Sequence, residues 1–174
     1  MTLSSDILSR AALNEGFDVK KSEIHGMSQR GGSVFSHIRY GGKVFSPVIP
    51  DGEADILLSL EEMETLRWTS FASPDTQVIC MNDQILPLGL ETYPEGIGKA
   101  LKKSFKKLSI IDAASFRKSL ENPKIMNVAL LGIVSNYLEI SASAWKRAIE
   151  SSVPKGTEKL NLRAFETGKK YPLE

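Results

Sequence analysis

The chain contains 174 residues, 22 basic and 21 acidic, and its 41% hydrophobic and 25% charged residues are ordinary for one compact globular domain. A formal net charge of +1 argues against a nucleic-acid-binding protein that works by neutralising phosphates. One cysteine, Cys80, excludes an internal disulfide, an iron–sulfur ligand set and a thiolate zinc site from this chain acting alone.

The N-terminal residues predict neither a secretion signal nor a membrane anchor. No basic segment followed by an apolar run is present there, and the longest apolar stretch, 128–134, is far shorter than the roughly 20 residues of a membrane span. A lone cysteine also suits a reducing compartment. We therefore expect a cytoplasmic protein that contacts no membrane.

The first third of the chain predicts a helix, a short strand and a hairpin. Apolar residues follow helical spacing from Leu3, and Gly16 is a suitable stop for that helix. Residues 17–20 alternate as a short strand does. The β-rich segments 33–40 and 43–47 flank Gly41-Gly42, which predicts that these two segments pair as a hairpin.

The rest of the chain alternates strands with helices and then becomes helical. The predicted strands are 54–60, 76–80 and 108–111, and the predicted helices are 61–67, 94–107, 112–120, 123–137, one from Ser141 or Ser143, and one from about 157 to 168. This order predicts an α/β fold: a three-layer α/β/α Rossmann-like domain with a mixed, mostly parallel sheet, one β-hairpin and a helical C-terminal third. We assign residues 1–174 to a single domain.

The polar loop before the predicted hairpin carries the densest set of groups able to bind a ligand. Gly31 and Gly32 let the backbone approach an anion and form a nest of N–H groups. Arg30 offers a bidentate fork for phosphate or carboxylate, and Ser28 and Gln29 add neutral hydrogen bonds. The loop is either an anion- or cofactor-facing segment or an ordinary turn whose arginine pairs with a neighbouring acid.

Other candidate residues give weaker signals. Glu61 follows a predicted buried strand, so it either lines the crevice at the carboxyl ends of the strands or merely begins the next helix. Cys80 ends an apolar strand, which favours a buried residue over a nucleophile. No metal-binding H-E-x-x-H spacing involves His25 or His37, and no G-x-S-x-G segment supports a hydrolase triad. We assign no catalytic residue and no metal ligand.

A basic segment lies near the end of the predicted helix 94–107. Leu101 and Phe105 occupy its apolar side, so the lysines of 102–107 are predicted to lie mostly on the solvated face. The alternative is that they contact an acidic partner or the phosphates of a coenzyme.

Several segments, in the right order, resemble one protein family. They are His25-Gly-Met-Ser-Gln-Arg-Gly-Gly-Ser33, Ser46-Pro47, Gly52-Glu-Ala-Asp55 with Leu60-Glu61, Asn127 with Leu131-Gly132, and Asn161-Leu-Arg-Ala-Phe165-Glu166-Thr-Gly168. Over essentially its whole length the chain resembles the gamma-type subunit of 2-oxoacid:ferredoxin oxidoreductases such as the pyruvate/ketoisovalerate enzymes. The closest variant is the beta subunit of indolepyruvate oxidoreductase. The Gly-Met-Ser-Gln-Arg-Gly-Gly segment is the most specific part of this match.

The resemblance implies a subunit of a complex that decarboxylates a 2-oxoacid, transfers the acyl group to coenzyme A and passes electrons to ferredoxin. It implies that partner subunits hold the thiamine diphosphate and the iron–sulfur clusters, and that this chain is not active alone. It places Ser28, Gln29, Arg30, Gly31 and Gly32 in a loop that faces the partner interface or coenzyme A. Glu61 and Asn127 would be supporting positions for that cofactor site. The alternatives are a free-standing nucleotide- or coenzyme-binding module and a purely structural interface subunit.

The start of the chain departs from the family pattern. Members usually begin with a strand and a glycine-rich G-x-G-G-Q-G turn just before the helix that begins here near Leu3. We interpret the N-terminal strand and turn as missing from this sequence, because losing a central strand would leave an uncovered sheet edge.

Overall fold

The computed structural model describes residues 2–25, 34–86, 89 and 91–173. These residues form two compact units, one made of 2–25, 34–48 and 117–171, and the other of 172–173 and the described residues in 49–116. The strands are β1 (Asp18–His25), β2 (Val34–Gly41), β3 (Ala54–Ser59), β4 (Ala72–Met81) and β5 (Lys107–Ile111). The helices are α1 (Thr2–Glu15), α2 (Glu62–Arg67), α3 (Ile97–Ser104), α4 (Ala113–Lys118), α5 (Met126–Val134), α6 (Ala142–Ser152) and α7 (Glu158–Lys169).

The first unit is built around helices that are distant in sequence. Helix α1 packs on α6, and α5 packs on α7. Trp145 and Ile149 of α6 are buried against Ile7 of α1, and the Trp145 and Phe165 rings lie 5.2 Å apart. Helix α1 ends as predicted, because Gly16 adopts a φ of 100° that a residue with a side chain rarely adopts.

A two-stranded antiparallel hairpin completes the first unit. One β-hairpin is confirmed, but its two strands are not the predicted ones. Strand β2 pairs with β1 along eight residues, from Asp18 opposite Gly41 to His25 opposite Val34, and not with residues 43–47. The segment after Gly41 does not continue the strand pairing. There the backbone N–H of Val44 donates to the Asp18 carboxylate at 2.8 Å and not to a backbone carbonyl of a strand. The Gly-Gly pair therefore ends a strand and does not connect two paired ones.

The second unit contains a parallel sheet in the order β3-β4-β5. Val78 and Cys80 of β4 are fully buried, and they form a core cluster with Leu101 of α3 and the adjoining Phe105. Helix α3 is shorter than the predicted 94–107. The backbone turns extended at Phe105, with φ −122° and ψ 131°, and the chain then enters β5.

The C-terminal helices agree with their sequence signals. Asn122 accepts a hydrogen bond from the backbone N–H of Lys124 at 2.9 Å and precedes Pro123, as predicted for a helix start. Short 3-10 turns precede and follow α5, so the predicted helix 123–137 is three consecutive helical segments. Ser141 caps α6, since its hydroxyl accepts from the N–H of Ala144 at 3.3 Å. Together with the parallel sheet, these elements confirm an α/β fold.

Two glycines set how closely α5 and α7 pack. A Cβ atom built on Gly132 would lie 2.0 Å from the carbonyl oxygen of Phe165, and one built on Gly168 would lie 1.7 Å from that of Ala129. Both distances are far below van der Waals contact, and the opposing atoms belong to backbone. Only glycine fits at these two positions. The predicted end of the last helix at Gly168 agrees with the structure to within one residue, since α7 ends at Lys169.

Candidate functional site

The residues predicted to form the site come from three segments of the sequence. Ser28, Gln29, Arg30, Gly31 and Gly32 lie outside the described residues. Asn127 is half-buried near the start of α5, in the first unit. Glu61 lies in the second unit, between β3 and α2. The surroundings of Glu61 are therefore the part of the predicted site whose geometry is described.

The Glu61 carboxylate is buried and gathers several donors. The side chain is at the N-cap of α2, where its Oε2 atom accepts from the backbone N–H of Glu64 at 2.7 Å. Its Oε1 atom accepts from the Tyr93 hydroxyl and, at 3.5 Å, from the N–H of Ile85. Only 5% of the residue's surface is exposed. A buried carboxylate is stable only with such donors, so these contacts hold Glu61 in place.

Tyr93 links this carboxylate to the start of α2. Its hydroxyl donates to Glu61 and accepts from the backbone N–H of Met63 at 3.1 Å. Burial, and then the hydrogen bond to Glu61, raise the pKa of the Tyr93 phenol above its ordinary value. The phenol thus stays protonated at neutral pH and remains a donor.

A second buried acid lies next to the first. Glu62 is 7% exposed, and its Oε2 atom accepts from Nε2 of Gln84 at 3.0 Å. The backbone N–H of Glu62 donates to the carbonyl of Asp83 at 3.2 Å. Residues 82–85, which follow β4, are therefore joined to the start of α2 by contacts to both acids. The acids connect the segments that leave two neighbouring parallel strands, at the carboxyl end of the sheet.

Cys80 lies beneath this cluster and is fully buried. The hydroxyl of Thr65 lies 3.0 Å from the sulfur and also donates to the carbonyl of Glu61 at 3.0 Å. Burial raises the pKa of the Cys80 thiol to about 11, and the nearby Glu62 and Glu61 charges act in the same direction. The structure therefore supports Cys80 as a packed residue and not as a nucleophile.

The thiol is expected to resist labelling in the folded protein. With a pKa of about 11, about one Cys80 thiol in a thousand is ionised at pH 8, and burial also blocks access of the reagent. Mixing the chain with a thiol-reactive disulfide reagent at pH 8 should give little colour until a denaturant is added, after which one thiol per chain reacts. Fast labelling without denaturant would contradict the buried assignment.

The arrangement around Glu61 holds together the segments that contribute its hydrogen-bond donors. Each described donor near the carboxylate is a backbone amide or a protonated phenol. Sequence reasoning found Glu61 from its place after an apolar strand, but it missed Tyr93 and Gln84. They lie 32 and 22 residues away from the acids that they contact, in a part of the chain without helical or strand periodicity.

His25 and His37 are on neighbouring strands of the first unit. His37 lies opposite Ser22, three residues from His25 along β1. It is 8% exposed, its ring lies 5.2 Å from that of Phe35, and burial lowers its pKa. Within the described ranges, no group of three or more histidine, cysteine, aspartate or glutamate side chains could hold a metal ion. None of the helices described in the structure is long and apolar enough to cross a membrane.

Comparison with known proteins extends over nearly the whole chain. The family described as pyruvate ferredoxin/flavodoxin oxidoreductase matches residues 1–171. Indolepyruvate oxidoreductase subunit IorB of Thermococcus kodakarensis is 35% identical over 180 residues, covering 98% of this chain and 89% of that protein.

Solved structures agree in fold. The gamma subunit of a keto/oxoacid ferredoxin oxidoreductase from Geobacter sulfurreducens has a TM-score of 0.67 at 19% identity, covering 95% of this chain and 87% of that one. The 2-oxoglutarate:ferredoxin oxidoreductase of Magnetococcus marinus, solved with 2-oxoglutarate, coenzyme A and succinyl-CoA bound, also gives 0.67, at 17% identity. It covers 95% of this chain and 27% of the longer one. The resemblance drawn from the sequence motifs is confirmed. The chain belongs to the pyruvate ferredoxin/flavodoxin oxidoreductase family.

Proposed function

We propose that this chain is a subunit of a cytoplasmic 2-oxoacid oxidoreductase complex. In that complex a 2-oxoacid is oxidatively decarboxylated, the acyl group passes to coenzyme A and the electrons pass to ferredoxin. The observation that carries the proposal is the 35% identity to an indolepyruvate oxidoreductase subunit over 98% of this chain. This chain would complete the assembly and contribute to binding coenzyme A.

The proposal assigns the redox cofactors to partner subunits. The single cysteine is buried and protonated, so it does not fit the ligand set of an iron–sulfur cluster, which needs several accessible thiolates. Thiamine diphosphate and the clusters would therefore be bound by other chains. This chain then has no activity of its own, and its contribution is measurable only in the assembled complex.

Coenzyme A would be contacted by the loop and not by Glu61. The Glu61 carboxylate is saturated by donors of its own chain and would repel the phosphates of a coenzyme. Arg30 offers the opposite charge, and Gly31 and Gly32 offer backbone N–H groups. In this proposal Ser28, Gln29, Arg30, Gly31 and Gly32 meet the coenzyme or the partner, and Glu61 and Asn127 support the surrounding fold.

The proposal is tested on the complex purified through a tag on this chain. We expect thiamine diphosphate and iron–sulfur clusters in the purified material, and 2-oxoacid oxidation that depends on coenzyme A. Arg30→Ala should raise the KM for coenzyme A by about tenfold, the loss of one charge-assisted contact. Arg10→Ala, at an exposed position on α1, is the matched control and should leave this KM unchanged.

Three results would count against parts of the proposal. Purification of the chain without cofactor-bearing partners contradicts the subunit assignment. An unchanged KM in the Arg30→Ala complex favours a purely structural interface role. A nucleotide bound tightly by the isolated chain favours a free-standing binding module.

A further inference from the structure

A groove runs along the outer side of the parallel sheet in the second unit. It lies between the C-terminal end of α3 and strand β5, and its volume is about 580 Å³. Leu108 and Ile110 of β5 line it, and both are only partly buried. Residues two apart on a strand share a face, so these side chains form one apolar strip along the groove.

The strand beside this groove is a sheet edge. Among the described strands, β5 pairs only with β4, so its outward backbone N–H and C=O groups lack ladder partners. Such an edge is a template on which another extended segment can pair. Every second side chain of an added strand would lie beside Leu108 and Ile110 on the same face of the sheet.

The charges around the groove are mainly positive. Lys102 and Lys106 line it, and both are exposed with no ion-pair partner in the described part of the chain. Lys106 also borders a second, smaller groove of about 230 Å³ that Lys103 lines. Positive charges in the last turn of a helix stabilise its C-terminal end, which accounts for Lys102 and Lys103. This effect does not account for Lys106, which lies after the end of α3.

The acid at the end of the groove, Asp112, is hydrogen-bonded to the start of α4. The Asp112 carboxylate accepts from the backbone N–H of Ser115 at 2.7 Å and from Nδ2 of Asn82 at 3.1 Å. The Asn82 side chain in turn accepts from the N–H of Ala113 at 2.8 Å. The two lysines outnumber this one carboxylate among the charged residues that line the groove.

We propose that the edge of β5, with Leu108, Ile110, Lys102 and Lys106 lining the groove on one face of the sheet, docks an extended acidic segment of a partner protein. The partner strand would pair with the free edge. On the face that carries the groove, it would place apolar side chains beside the strip and carboxylates toward the lysines. A second copy of this chain is disfavoured, because two β5 edges would bring their lysines together. This interaction is separate from the proposed coenzyme contact and does not depend on it.

The test uses the full chain and a short fluorescent peptide that carries valine and glutamate in turn on one face of the strand and threonine on the other. We expect saturable binding that weakens as salt is raised, because exposed charges are screened. Amide hydrogen exchange should show added protection in β5 when the peptide is bound. The same peptide with lysine in place of glutamate should not bind.

Charge reversal provides the matched comparison. Lys102→Glu with Lys106→Glu should weaken peptide binding at least about tenfold. Lys124→Glu with Lys155→Glu makes the same change of net charge at exposed positions elsewhere and should leave binding unchanged. Lys102→Gln with Lys106→Gln repeats the test without adding acids, and thermal melts identify any variant that fails to fold.

Several results would overturn the proposal. These are absence of binding to the unaltered chain, equal loss in both charge-reversal variants, and binding without protection of β5. Competition by inorganic pyrophosphate at the concentration of the peptide would show a small-anion site in place of a strand-docking edge.

Discussion

Replacing Gly168 by alanine is expected to destabilise the first unit by about 3 kcal/mol or more. The new Cβ atom would lie 1.7 Å from the carbonyl oxygen of Ala129, and backbone cannot move aside as a flexible side chain can. Helices α5 and α7 would have to separate and lose buried contacts such as those of Val128 and Phe165. Chemical denaturation followed by far-UV circular dichroism measures the effect, and Gly132→Ala should act in the same way.

Gly98→Ala is the matched control for these glycine variants. Gly98 is also helical, but a Cβ atom there would lie 3.9 Å from Oε1 of Glu62, an ordinary contact. Alanine is favoured over glycine in a helix by about 1 kcal/mol, so this change should be neutral or stabilising. If Gly168→Ala and Gly98→Ala shifted the denaturation midpoint equally, the close packing of α5 on α7 would be contradicted.

Glu61→Ala is expected to destabilise the second unit by about 3 kcal/mol. The change removes the N-cap of α2 and leaves the N–H of Glu64 and the hydroxyl of Tyr93 without their acceptor. Tyr93→Phe removes one of these contacts and also leaves the N–H of Met63 without its acceptor, so it should cost about 1.5 kcal/mol or more. The free energy of unfolding from denaturant titration, monitored by the tryptophan fluorescence of the chain, gives both values.

Glu64→Ala is the control on the same helix. The Glu64 side chain pairs with Arg67 at 3.0 Å on a partly exposed surface, and such pairs contribute about 0.5 kcal/mol. The backbone N–H of Glu64, which donates a hydrogen bond to the Glu61 carboxylate, is unchanged by the substitution. A larger loss in Glu64→Ala than in Glu61→Ala would refute the assignment of Glu61 as the residue that holds this end of the sheet.

The sequence predicted most elements because their signals are local. Helical spacing and Gly16 define α1, Asn122-Pro123 defines the start of the helix that follows, and the apolar run 54–60 defines β3. The strand that pairs with β2 was mispredicted for the same reason. Gly41-Gly42 looks like a connection between neighbouring strands, but the partner of β2 precedes it in the chain. Strand pairing depends on contacts between segments that are separated in sequence, and local patterns do not predict which segments pair.

The candidate site shows the same limit. The position of Glu61 after a buried strand could be read from the sequence, but its donors come from three separate segments that only the fold brings together. The role of Gly132 and Gly168 was also hidden. A glycine inside a helix is a weak signal in sequence, and its meaning depends on the opposing backbone.

The discontinuous first unit has a consequence for the order in which the nascent chain folds. Glu15 at the end of α1 accepts a hydrogen bond from Ser141, 126 residues later, and α5 finds its packing partner only in α7, the last helix. Residues 49–116 can assemble while translation continues, whereas Ile7 and Ala11 must wait for α6 to leave the ribosome. The part of α1 that packs on α6 is thus exposed until α6 has been made. Chaperone dependence and losses to aggregation should therefore concentrate on this surface of α1.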